Sequence, residues 1–340
     1  MTTRVRVAVL GVGSLGQQHA RIYSEMHRQG AVELVGVYDN NTAQAKSIAE
    51  KHGTSVLGSV EAAADVADAL SIVTPTVTHH DLAKPLLEDG KHLLVEKPMT
   101  DNAGQAADLV RLARQHDCVL QVGHIERFNP VFNYLQQAAR EPRFIESHRL
   151  SPFPARSMDI GVVLDLMIHD LDIVLAFVRS PVEHVDAAGV RVLSASEDIA
   201  NARLRFANGC VANLTVSRVS PESLRKIRVF SGGDEPGYVS LDYREQKGYH
   251  YRLARDDEQE SSILKKVFAG KDSAIVSQFG GKRVVREPVP IQQEEPLKVE
   301  LESFVNCAEK KQAPVVTGES AKQAIELALE ISRKIEEQAD

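Results

Sequence analysis

A glycine-rich turn near the amino terminus constrains the fold of this chain more than any other feature. The segment Val5–Gly16 is an apolar run that ends in Gly11, Gly13 and Gly16 and continues into a helical pattern. At this spacing the first glycine permits a tight turn, the second lets a pyrophosphate approach the backbone, and the third lets the helix pack closely on the strand. The start of such a helix also favours an anion. The sequence therefore predicts a dinucleotide-binding fold.

An acidic residue after the second apolar run bears on which dinucleotide is bound. The run Ala31–Tyr38 ends in Asp39, where a carboxylate can bind the hydroxyls of the adenosine ribose. A carboxylate would repel a 2′-phosphate, and the residues that follow, Asn40, Asn41 and Thr42, are uncharged. The sequence therefore favours NAD over NADP, unless an Arg or Lys arrives from elsewhere in the fold.

Residues 4–123 alternate short apolar strands with helical stretches, which is the pattern of a parallel sheet covered by helices. The expected strands are Arg4–Leu10, Ala31–Tyr38, Ala67–Thr74, His92–Glu96 and Cys118–Gly123. The expected helices are Leu15–Gln29, Thr42–His52, Val77–Asp89 and Asn102–His116. We therefore predict an α/β domain at residues 1–123 with a doubly wound parallel sheet of the Rossmann type.

The pattern changes after residue 124. Strand-like runs at residues 143–151 and 182–255, with a hairpin turn at Asn208-Gly209, predict an open, largely antiparallel sheet. The expected helices are Val131–Arg140, Ile160–Val178, Pro296–Lys310 and Glu319–Glu337. We predict an α+β domain for substrate binding and oligomerisation at residues 124–318, and a C-terminal helix at 319–340 that packs back on the body. The charged residues 254–296 are expected to form a long loop or an arm at a subunit contact.

Composition narrows the class of protein. The net charge of −7 argues against a nucleic-acid partner. The three cysteines, Cys118, Cys210 and Cys307, are widely spaced, which fits neither a disulfide framework nor a zinc site and indicates a reducing compartment. The apolar stretch at residues 162–178 is interrupted by Asp and His, so no membrane span is expected. We expect a cytoplasmic protein without a metal.

A polar stripe in an otherwise apolar helix is a candidate catalytic surface. In an α-helix over residues 160–178, Asp165, His169 and Asp172 fall within about 60° of one another. Burying a carboxylate and an imidazole is costly unless they are paired or line a wet cavity. An Asp–His pair that caps a core is the structural alternative. Because the chain is expected to bind a dinucleotide, the stripe favours a catalytic wall.

A lysine at a strand end is the next candidate. Lys97 follows the expected strand His92–Glu96, and ligands of doubly wound sheets lie at the carboxyl ends of the strands. Position alone does not distinguish it from a solvated surface lysine. An ordered set of motifs, however, resembles the Gfo/Idh/MocA oxidoreductases over essentially the whole chain: Thr74-Pro75-Thr76, His79, Glu96-Lys97-Pro98 and Asp165-x-x-x-His169.

The resemblance implies roles for these residues. Lys97 would hold and polarise the reacting oxygen, His169 would act as general base because its pKa lies near working pH, and Asp165 would orient the substrate. The Lys97–Pro98 peptide would be cis. The family usually has adjacent glycines before the Asp-x-x-x-His motif, where this chain has Asp159-Ile160-Gly161. The cofactor-binding residues would be Gly11, Gly13, Ser14, Leu15, Gly16, Asp39, Asn40, Thr74, Pro75, Thr76, His79, Glu96 and Lys97.

A closer resemblance concerns the substrate. The segments Gly123–Pro130, Ser151–Arg156 and Asp159–Asp165 are similar to those of the family members that oxidise UDP-N-acetylglucosamine, or its uronate, at C3. The diphosphate of such a substrate needs fixed positive charge, for which Arg suits best. Besides Lys97, Asp165 and His169, the expected substrate-binding residues are Arg127, Asn129, Arg149 and Arg156; surface ion pairs are the alternative for each arginine.

The expected function is NAD-dependent oxidation of the C3 hydroxyl of a UDP-amino sugar to the 3-keto sugar. The product would feed an aminotransferase in lipid A or surface-polysaccharide synthesis. One alternative is a dehydrogenase of a free sugar or inositol, in which the arginines would be incidental. A second is a non-catalytic NAD-binding regulator, against which the presence of Lys97, Asp165 and His169 argues. Relatives commonly form dimers or tetramers through the second-domain sheet, so a homo-oligomer is expected.

Overall fold

The structure, a computed structural model, describes residues 4–153, 160–233, 236–254, 274–279 and 282–339. The chain divides into two compact units: residues 1–128 with 295–326, and residues 129–294 with 327–340. The predicted domain boundaries therefore need three corrections. The predicted C-terminal segment 319–340 is divided between the two units after residue 326. The border lies at Phe128/Asn129 rather than at residue 123, and residues 295–318 belong with the first unit rather than with the second.

The first unit contains a parallel sheet. In the part of the chain that the structure describes, this sheet has five strands in the order β2-β1-β3-β4-β5: β1 Arg6–Leu10, β2 Glu33–Tyr38, β3 Ala69–Ile72, β4 His92–Glu96 and β5 Leu120–Gly123. Strand order reverses between β1 and β3, and such a switch point is where doubly wound sheets bind ligands. The predicted Rossmann-type sheet is confirmed.

Helices connect these strands. They are α1 Gly16–Arg28, α2 Thr42–His52, α3 Val60–Val66, α4 His79–Glu88 and α5 Ala103–Gln115. Side chains cap several of them; Asn41 accepts hydrogen bonds from two N–H groups of α2, and Asn102 accepts one from α5. The sequence missed α3, which is only seven residues long and begins after Ser59.

The second unit is built on a second sheet. Within the described ranges it has nine strands in the order β13-β14-β12-β11-β10-β6-β9-β8-β7, antiparallel except for β6 with β9. The strands are β6 Pro142–Leu150, β7 Val182–Val190, β8 Ile199–Phe206, β9 Val211–Ser217, β10 Leu224–Ser231, β11 Gly237–Asp242, β12 Lys247–Leu253, β13 Ala274–Phe279 and β14 Lys282–Pro288. The predicted, largely antiparallel sheet is confirmed.

Two features of this sheet bear on the sequence analysis. The turn at Asn208-Gly209 joins β8 to β9, with Gly209 at φ +83°, as the hairpin signal predicts. The segment 254–296 is not a long loop throughout, because it contains β13 and β14. The pairing of β14 with β12 is set by a partner that is distant in sequence, which explains why local patterns did not reveal it.

Helices of the second unit pack on the core face of its sheet. Helix α6 spans Pro130–Ala138, and α7 spans Ile168–Val178 directly after a π-helical stretch at Val163–Met167. The predicted continuous α-helix over residues 160–178 is therefore interrupted. Buried apolar residues of α6 and α7 share one core with the inward side chains of the sheet.

Two helices close the chain, α8 Pro296–Lys310 and α9 Gly318–Ala339. Leu297, Leu301 and Phe304 of α8 lie in the same apolar core as Ile22 and Tyr23 of α1, which places α8 in the first unit. Among the described helices, none is long and apolar enough to cross a membrane. The cysteines are free thiols.

Candidate active site

The glycine-rich turn leaves room for a ligand beside the backbone. Gly11 has φ +85°, and a Cβ there would lie 2.6 Å from the carbonyl oxygen of Val73. A Cβ on Gly16 would lie 1.9 Å from the carbonyl oxygen of Gly11. By contrast, a Cβ on Gly13 would meet no atom of the described chain within 4 Å. The first and third glycines are therefore required by the fold, whereas the space at Gly13 is open to a bound group.

The start of α1 is open to an anion. Its N-cap residue is Leu15, and neither a side-chain cap nor an acidic residue is present in the first turn. Ser14 and Leu15 are exposed, Leu15 by 40%. The N–H groups of Gln17 and Gln18 donate to the carbonyl oxygens of Gly13 and Leu15, so the groups open to an anion are those nearer the glycine turn, at the positive end of the helix dipole. This turn can therefore hold a phosphate through its backbone.

Asp39 is fixed beside the turn by the main chain. Its Oδ2 accepts a hydrogen bond from the N–H of Val12 at 2.8 Å, and its Oδ1 accepts one from the N–H of Asn41 at 2.8 Å. The side chain of Gln44 donates to the carbonyl oxygen of Val12 at 3.1 Å. These bonds orient the carboxylate and leave lone pairs on both oxygens for ribose hydroxyls.

A cavity of about 260 Å³ lies at the carboxyl ends of β1, β2 and β3. None of its described lining residues is basic, so nothing there would attract a 2′-phosphate. Predicted residues in the lining are Gly11, Gly13, Asp39, Asn40, Thr74 and Pro75; residues that the sequence analysis missed are Tyr38, Val60, Val73, Thr78 and Leu82. Most of the missed residues are apolar, and an apolar lining gives no signal that distinguishes it from core.

The loop after β3 is held by His79. The ring lies with Nε2 2.8 Å from the carbonyl oxygen of Thr74 and Nδ1 3.0 Å from that of Pro98. Burial lowers the pKa of His79, although the two carbonyl oxygens act in the opposite direction. The expectation that His79 contacts the cofactor is therefore corrected. The ring is buried and positions two loops that border the site. Thr76 begins the short 3₁₀ turn Thr76–Thr78 in the first of these loops.

Lys97 and Glu96 end strand β4. Lys97 is half-buried, and the Lys97–Pro98 peptide is cis, as the resemblance implies. The carboxylate of Glu96 is buried, with Oε2 accepting a hydrogen bond from the N–H of Lys97 at 3.2 Å and Oε1 lying 3.3 Å from Nε2 of His19. Glu96 thus faces the interior of the first unit, which corrects its expected role as a cofactor contact.

In the second unit, Asp165 lies in the π-helical stretch and His169 is the second residue of α7. The N–H of Ile168 reaches back five residues to the carbonyl oxygen of Val163, which makes the turn wider than an α-helical one. Asp165 and His169 are both half-buried, whereas Asp172 is 2% exposed. Asp172 therefore differs in burial from the other two residues of the expected stripe, and the wide turn interrupts the α-helical period between Asp165 and His169.

A glutamate from another strand region caps the start of this helical segment. The carbonyl oxygen of Glu197 accepts a hydrogen bond from the N–H of Val162 at 3.0 Å, and its Oε1 accepts one from the N–H of Val163 at 3.2 Å. A Cβ on Gly161 would lie 2.0 Å from this carboxylate. The single glycine before the motif thus makes room for the cap.

A buried ion pair holds Ile160, which lies just before the two main-chain N–H groups that Glu197 caps. Nε of Arg218 lies 2.8 Å from Oδ1 of Asp198, and Nη1 donates to the carbonyl oxygen of Ile160 at 2.7 Å. Both side chains are almost fully buried. Burial alone would raise the pKa of Asp198, but hydrogen bonds from the Leu193 N–H, the Ser194 hydroxyl and Arg218 hold it well below its usual range. Sequence reasoning missed this pair, whose members give no local signal.

Two protein-family models match this chain. The family model described as "Oxidoreductase family, NAD-binding Rossmann fold" matches residues 5–124, and the "GFO/IDH/MocA C-terminal domain" model matches residues 137–232. The chain belongs to the Gfo/Idh/MocA oxidoreductase family. The expected family, the oxidoreductase class and the NAD cofactor are confirmed.

Among relatives of this family, the UDP-N-acetylglucosamine 3-dehydrogenase of Acidithiobacillus ferrooxidans is 33% identical over 333 residues, which cover 98% of this chain and 97% of the relative. Its solved structure has a TM-score of 0.83, with 98% of each chain covered. An inositol 2-dehydrogenase of Rhizobium meliloti is 32% identical over 179 residues, which cover 49% of this chain and 53% of the relative.

As in other NAD-binding folds, the pyrophosphate would be held by backbone and the ribose by a carboxylate. The residues present fit this cofactor. The open space at Gly13 and the uncapped start of α1 suit the pyrophosphate, and Asp39 is oriented toward the cavity that it lines. Bound NAD supplies a hydride acceptor. This Gfo/Idh/MocA chain is thus an NAD-dependent oxidoreductase.

Two expected substrate contacts in the second unit have structural roles instead. Nε of Arg149 lies 2.9 Å from Oδ2 of Asp170 in a buried ion pair, and Ser147 donates to the same carboxylate at 2.9 Å. Asn129 caps α6 by accepting from the N–H of Val131 at 3.1 Å, and it donates to the carbonyl oxygen of Tyr243 at 3.0 Å. Both side chains are buried, so we correct their assignment as substrate ligands.

Of the two remaining arginines, the structure describes Arg127 but not Arg156. Arg127 lies in the 3₁₀ turn Ile125–Phe128, is half-buried and has Nη2 3.4 Å from the carbonyl oxygen of Val315. Arg156 lies outside the described residues.

Proposed function

We propose that the chain oxidises the C3 hydroxyl of a UDP-N-acetylglucosamine-type sugar and passes the hydride to NAD. The observation that carries this proposal is the likeness to the UDP-N-acetylglucosamine 3-dehydrogenase, which extends over 98% of the chain at 33% identity. The likeness to an inositol 2-dehydrogenase covers only 49% of the chain. A substrate that occupies the second unit should constrain residues beyond the dinucleotide-binding half, and the likeness to the UDP-N-acetylglucosamine 3-dehydrogenase extends over both halves of the chain.

In this proposal Lys97 binds the oxygen that is oxidised. An ammonium group beside the hydroxyl stabilises the negative charge that grows on oxygen as its proton leaves. The half-buried position of Lys97 supports this role, since partial exclusion of water strengthens such an interaction.

His169 takes the hydroxyl proton, and Asp165 accepts a hydrogen bond from a neighbouring hydroxyl of the sugar. A neutral imidazole suits this task because its ordinary pKa lies near neutral pH. The half-buried state of both side chains supports contact with a ligand, since each keeps a surface that solvent reaches. With the proton held on His169, the carbonyl of the 3-keto sugar forms as the hydride departs.

We further propose that Arg127 and Arg156 bind the diphosphate. The guanidinium forms a planar fork that matches phosphate oxygens. The UDP group lies far from the reacting carbon, so its binding energy can hold the C3 hydroxyl in place.

The product and the assembly complete the proposal. A 3-keto sugar is a substrate for an aminotransferase, which would place the enzyme in lipid A or surface-polysaccharide synthesis. The chain would act in the cytoplasm as a homodimer or homotetramer. A stripe of half-buried aromatic rings crosses the outer face of the second sheet, with neighbouring centroids 5.8, 5.0 and 4.2 Å apart: Phe144, Phe230, Tyr238 and Tyr251. Such a stripe supports self-association, and a monomer in sedimentation velocity would contradict it.

The substrate is tested by following NADH formation over UDP-N-acetylglucosamine, its uronate, free N-acetylglucosamine and myo-inositol. A 3-aminotransferase with an amino donor removes the ketone and pulls the reaction forward. We expect turnover of a UDP-sugar and inhibition by UDP. Equal activity on N-acetylglucosamine with and without UDP, or turnover of inositol alone, would replace the proposal with the free-sugar alternative.

Arg127→Ala tests the diphosphate contact. Loss of one charge-assisted contact costs about 1.5–3 kcal/mol, so KM for the UDP-sugar should rise roughly ten- to hundredfold while KM for NAD stays the same. Inhibition by free UDP should weaken in parallel. Arg111→Ala is the matched control, because Arg111 is an exposed arginine of the same unit that pairs with Asp108. An unchanged KM for the UDP-sugar would remove Arg127 from the site.

A further inference from the structure

A buried polar unit lies behind Lys97. The Glu96 carboxylate occupies the space above Gly123 at the end of β5, where a Cβ would lie 2.6 Å from Oε2. One carboxylate oxygen accepts the N–H of Lys97, and the other faces His19. Any larger residue at position 123 would displace the carboxylate. Three elements that are distant in sequence therefore meet at Glu96.

His19 is an unusual residue for its position. It lies one turn into α1, is fully buried, and shares a helix face with the buried Tyr23. Neither ring nitrogen makes a hydrogen bond among the described residues, and Nε2 lies 3.3 Å from Oε1 of Glu96, close enough for a charge contact. A buried polar group without full hydrogen bonding is costly and calls for a reason beyond packing.

We propose that His19 is a positioning residue for Lys97. His19 holds the Glu96 carboxylate, the carboxylate holds the N–H of Lys97, and the lysine is thereby fixed at the end of β4. The inference rests on the proposed function in one respect, namely that Lys97 acts on the substrate.

The physical reason is the cost of an unpaired buried carboxylate. Without His19, Glu96 would keep one main-chain N–H as its partner in the described structure and would be driven to turn toward water. Because the carboxylate and the N–H of Lys97 are bonded, such a move would shift the main chain that carries the lysine. A displacement of about 1 Å at a reacting group can cost about a hundredfold in rate.

The unit also joins the lysine to the dinucleotide turn. His19 follows Gly16 by one helical turn, on the helix whose open start suits the pyrophosphate. A change in α1 is therefore transmitted to Lys97 through two short contacts. Packing alone would not require a histidine and a glutamate at these positions.

The first test compares three variants by steady-state kinetics. His19→Leu removes the partner of the carboxylate and should lower kcat about ten- to hundredfold, with KM for NAD changed less than about threefold. His19→Gln keeps a side-chain donor and should restore most of kcat. Tyr23→Phe is the control, because it removes a buried hydrogen bond of α1, between Tyr23 Oη and Ser71 Oγ at 2.8 Å, and leaves the contact of His19 with Glu96 in place. Its kcat should equal that of the wild type.

The second test does not depend on the substrate. Acetylation of lysines by acetic anhydride, followed by peptide mass spectrometry, reports how firmly Lys97 is held. In His19→Leu the rate at Lys97 should rise severalfold relative to Lys91, which lies just before the same strand and donates to the carbonyl oxygen of Ala67. If the wild type oxidises none of the sugars offered, the proposed function fails, while this measurement still decides the role of His19.

Glu96→Gln provides a second variant should His19→Leu fold poorly, and it should show the same loss of kcat and the same rise at Lys97. Wild-type kcat with an unchanged acetylation ratio in either variant would overturn the proposal. A loss of kcat in Tyr23→Phe as large as that in His19→Leu would also overturn it, because it would indicate a structural role only.

Discussion

The two units begin their functional helices in opposite ways. Helix α1 starts at a turn without a side-chain cap, where Gly13 leaves space and the side chain of Leu15 offers no hydrogen bond. The helical segment that carries Asp165 and His169 starts at a closed turn, where Glu197 accepts two main-chain N–H groups. An open start can bind a phosphate with its backbone. A closed start has its backbone satisfied, so it can act on a ligand only through its side chains.

This difference explains why the two sites leave different marks in the sequence. Backbone N–H groups are the same in every residue, so the first site is visible only through the glycines that shape the turn. The second site is visible through polar residues in an apolar helix, whose burial would otherwise be unfavourable. The predictions that follow test each half of this comparison.

The largest effect on turnover is expected at His169, in the helical segment that has the closed start. His169→Ala should lower turnover by about 10²–10⁴-fold, the usual contribution of a positioned acid–base group, and should leave NAD affinity unchanged. Steady-state rates and NADH fluorescence titration measure the two quantities. His184→Ala, at an exposed histidine of β7 that faces Asp186, is the control. Near-normal turnover in His169→Ala, with chemistry rate-limiting, would contradict the base assignment.

The next largest effect is on the free energy of unfolding and concerns the ion pair of Arg218 with Asp198, which holds the chain at the closed start. Arg218→Leu leaves the Asp198 carboxylate buried without its guanidinium and should lower the free energy of unfolding by about 3–5 kcal/mol. Urea denaturation followed by circular dichroism measures it. Arg203→Leu, at an exposed arginine of β8 that donates to Asn213, should change stability by at most about 0.5 kcal/mol. A loss in Arg218→Leu as small as in the control would show that the pair does not hold the fold.

The same pair predicts how stability depends on pH. Because the folded-state pKa of Asp198 is depressed, its contribution is fully present above the ordinary carboxyl pKa of about 4 and is lost as pH falls through the lower folded-state value. The difference between wild type and Arg218→Leu should therefore shrink below about pH 4. A constant difference from pH 7 to pH 3 would contradict this linkage.

The smallest effect is expected at the open start. Leu15→Asp places a negative charge beside the uncapped N–H groups, which should raise helix stability by about 0.3–1 kcal/mol and weaken NAD binding about two- to fivefold. Stability and affinity should thus move in opposite directions. Leu15→Asn, which is polar without charge, is the control. Tighter or unchanged NAD binding in Leu15→Asp would show that the phosphates do not lie at this turn.

Much of the fold could be predicted because the residues at the ends of its helices and strands give signals in the local sequence. The bounds of β4, α2 and α8 agree with the sequence analysis, and each of these helices has a local signal at an end: Gly53 in the left-handed conformation after α2, and proline at the start of α8. Strands β13 and β14 were missed because their charged sequence has little periodicity and their pairing is non-local. The place of α8 in the first unit also depends on long-range packing.

In the candidate site, too, some residues have a local sequence signal and others depend on partners that are distant in sequence. The glycines, Asp39 and Lys97 could be named from motif and strand order. The partners of Arg149 and Asn129 could not, because Asp170 and Tyr243 approach them only in the folded chain. His19 carries a weak signal, a polar residue on the apolar face of a helix, but its partner Glu96 lies on another strand. Sequence reasoning therefore named candidate residues from local patterns and missed the long-range partners that hold several of them in the folded chain.

The π-helical stretch Val163–Met167 makes chain length a determinant of the site. A turn closed over five residues holds one residue more than an α-helical turn requires. Deleting that residue would leave a regular α-helix and rotate the preceding chain by about 100° about the axis of α7. Asp165 would then turn away from its present direction, while His169 would keep its own. A one-residue gap among relatives at this point should thus coincide with a change in which sugars they accept.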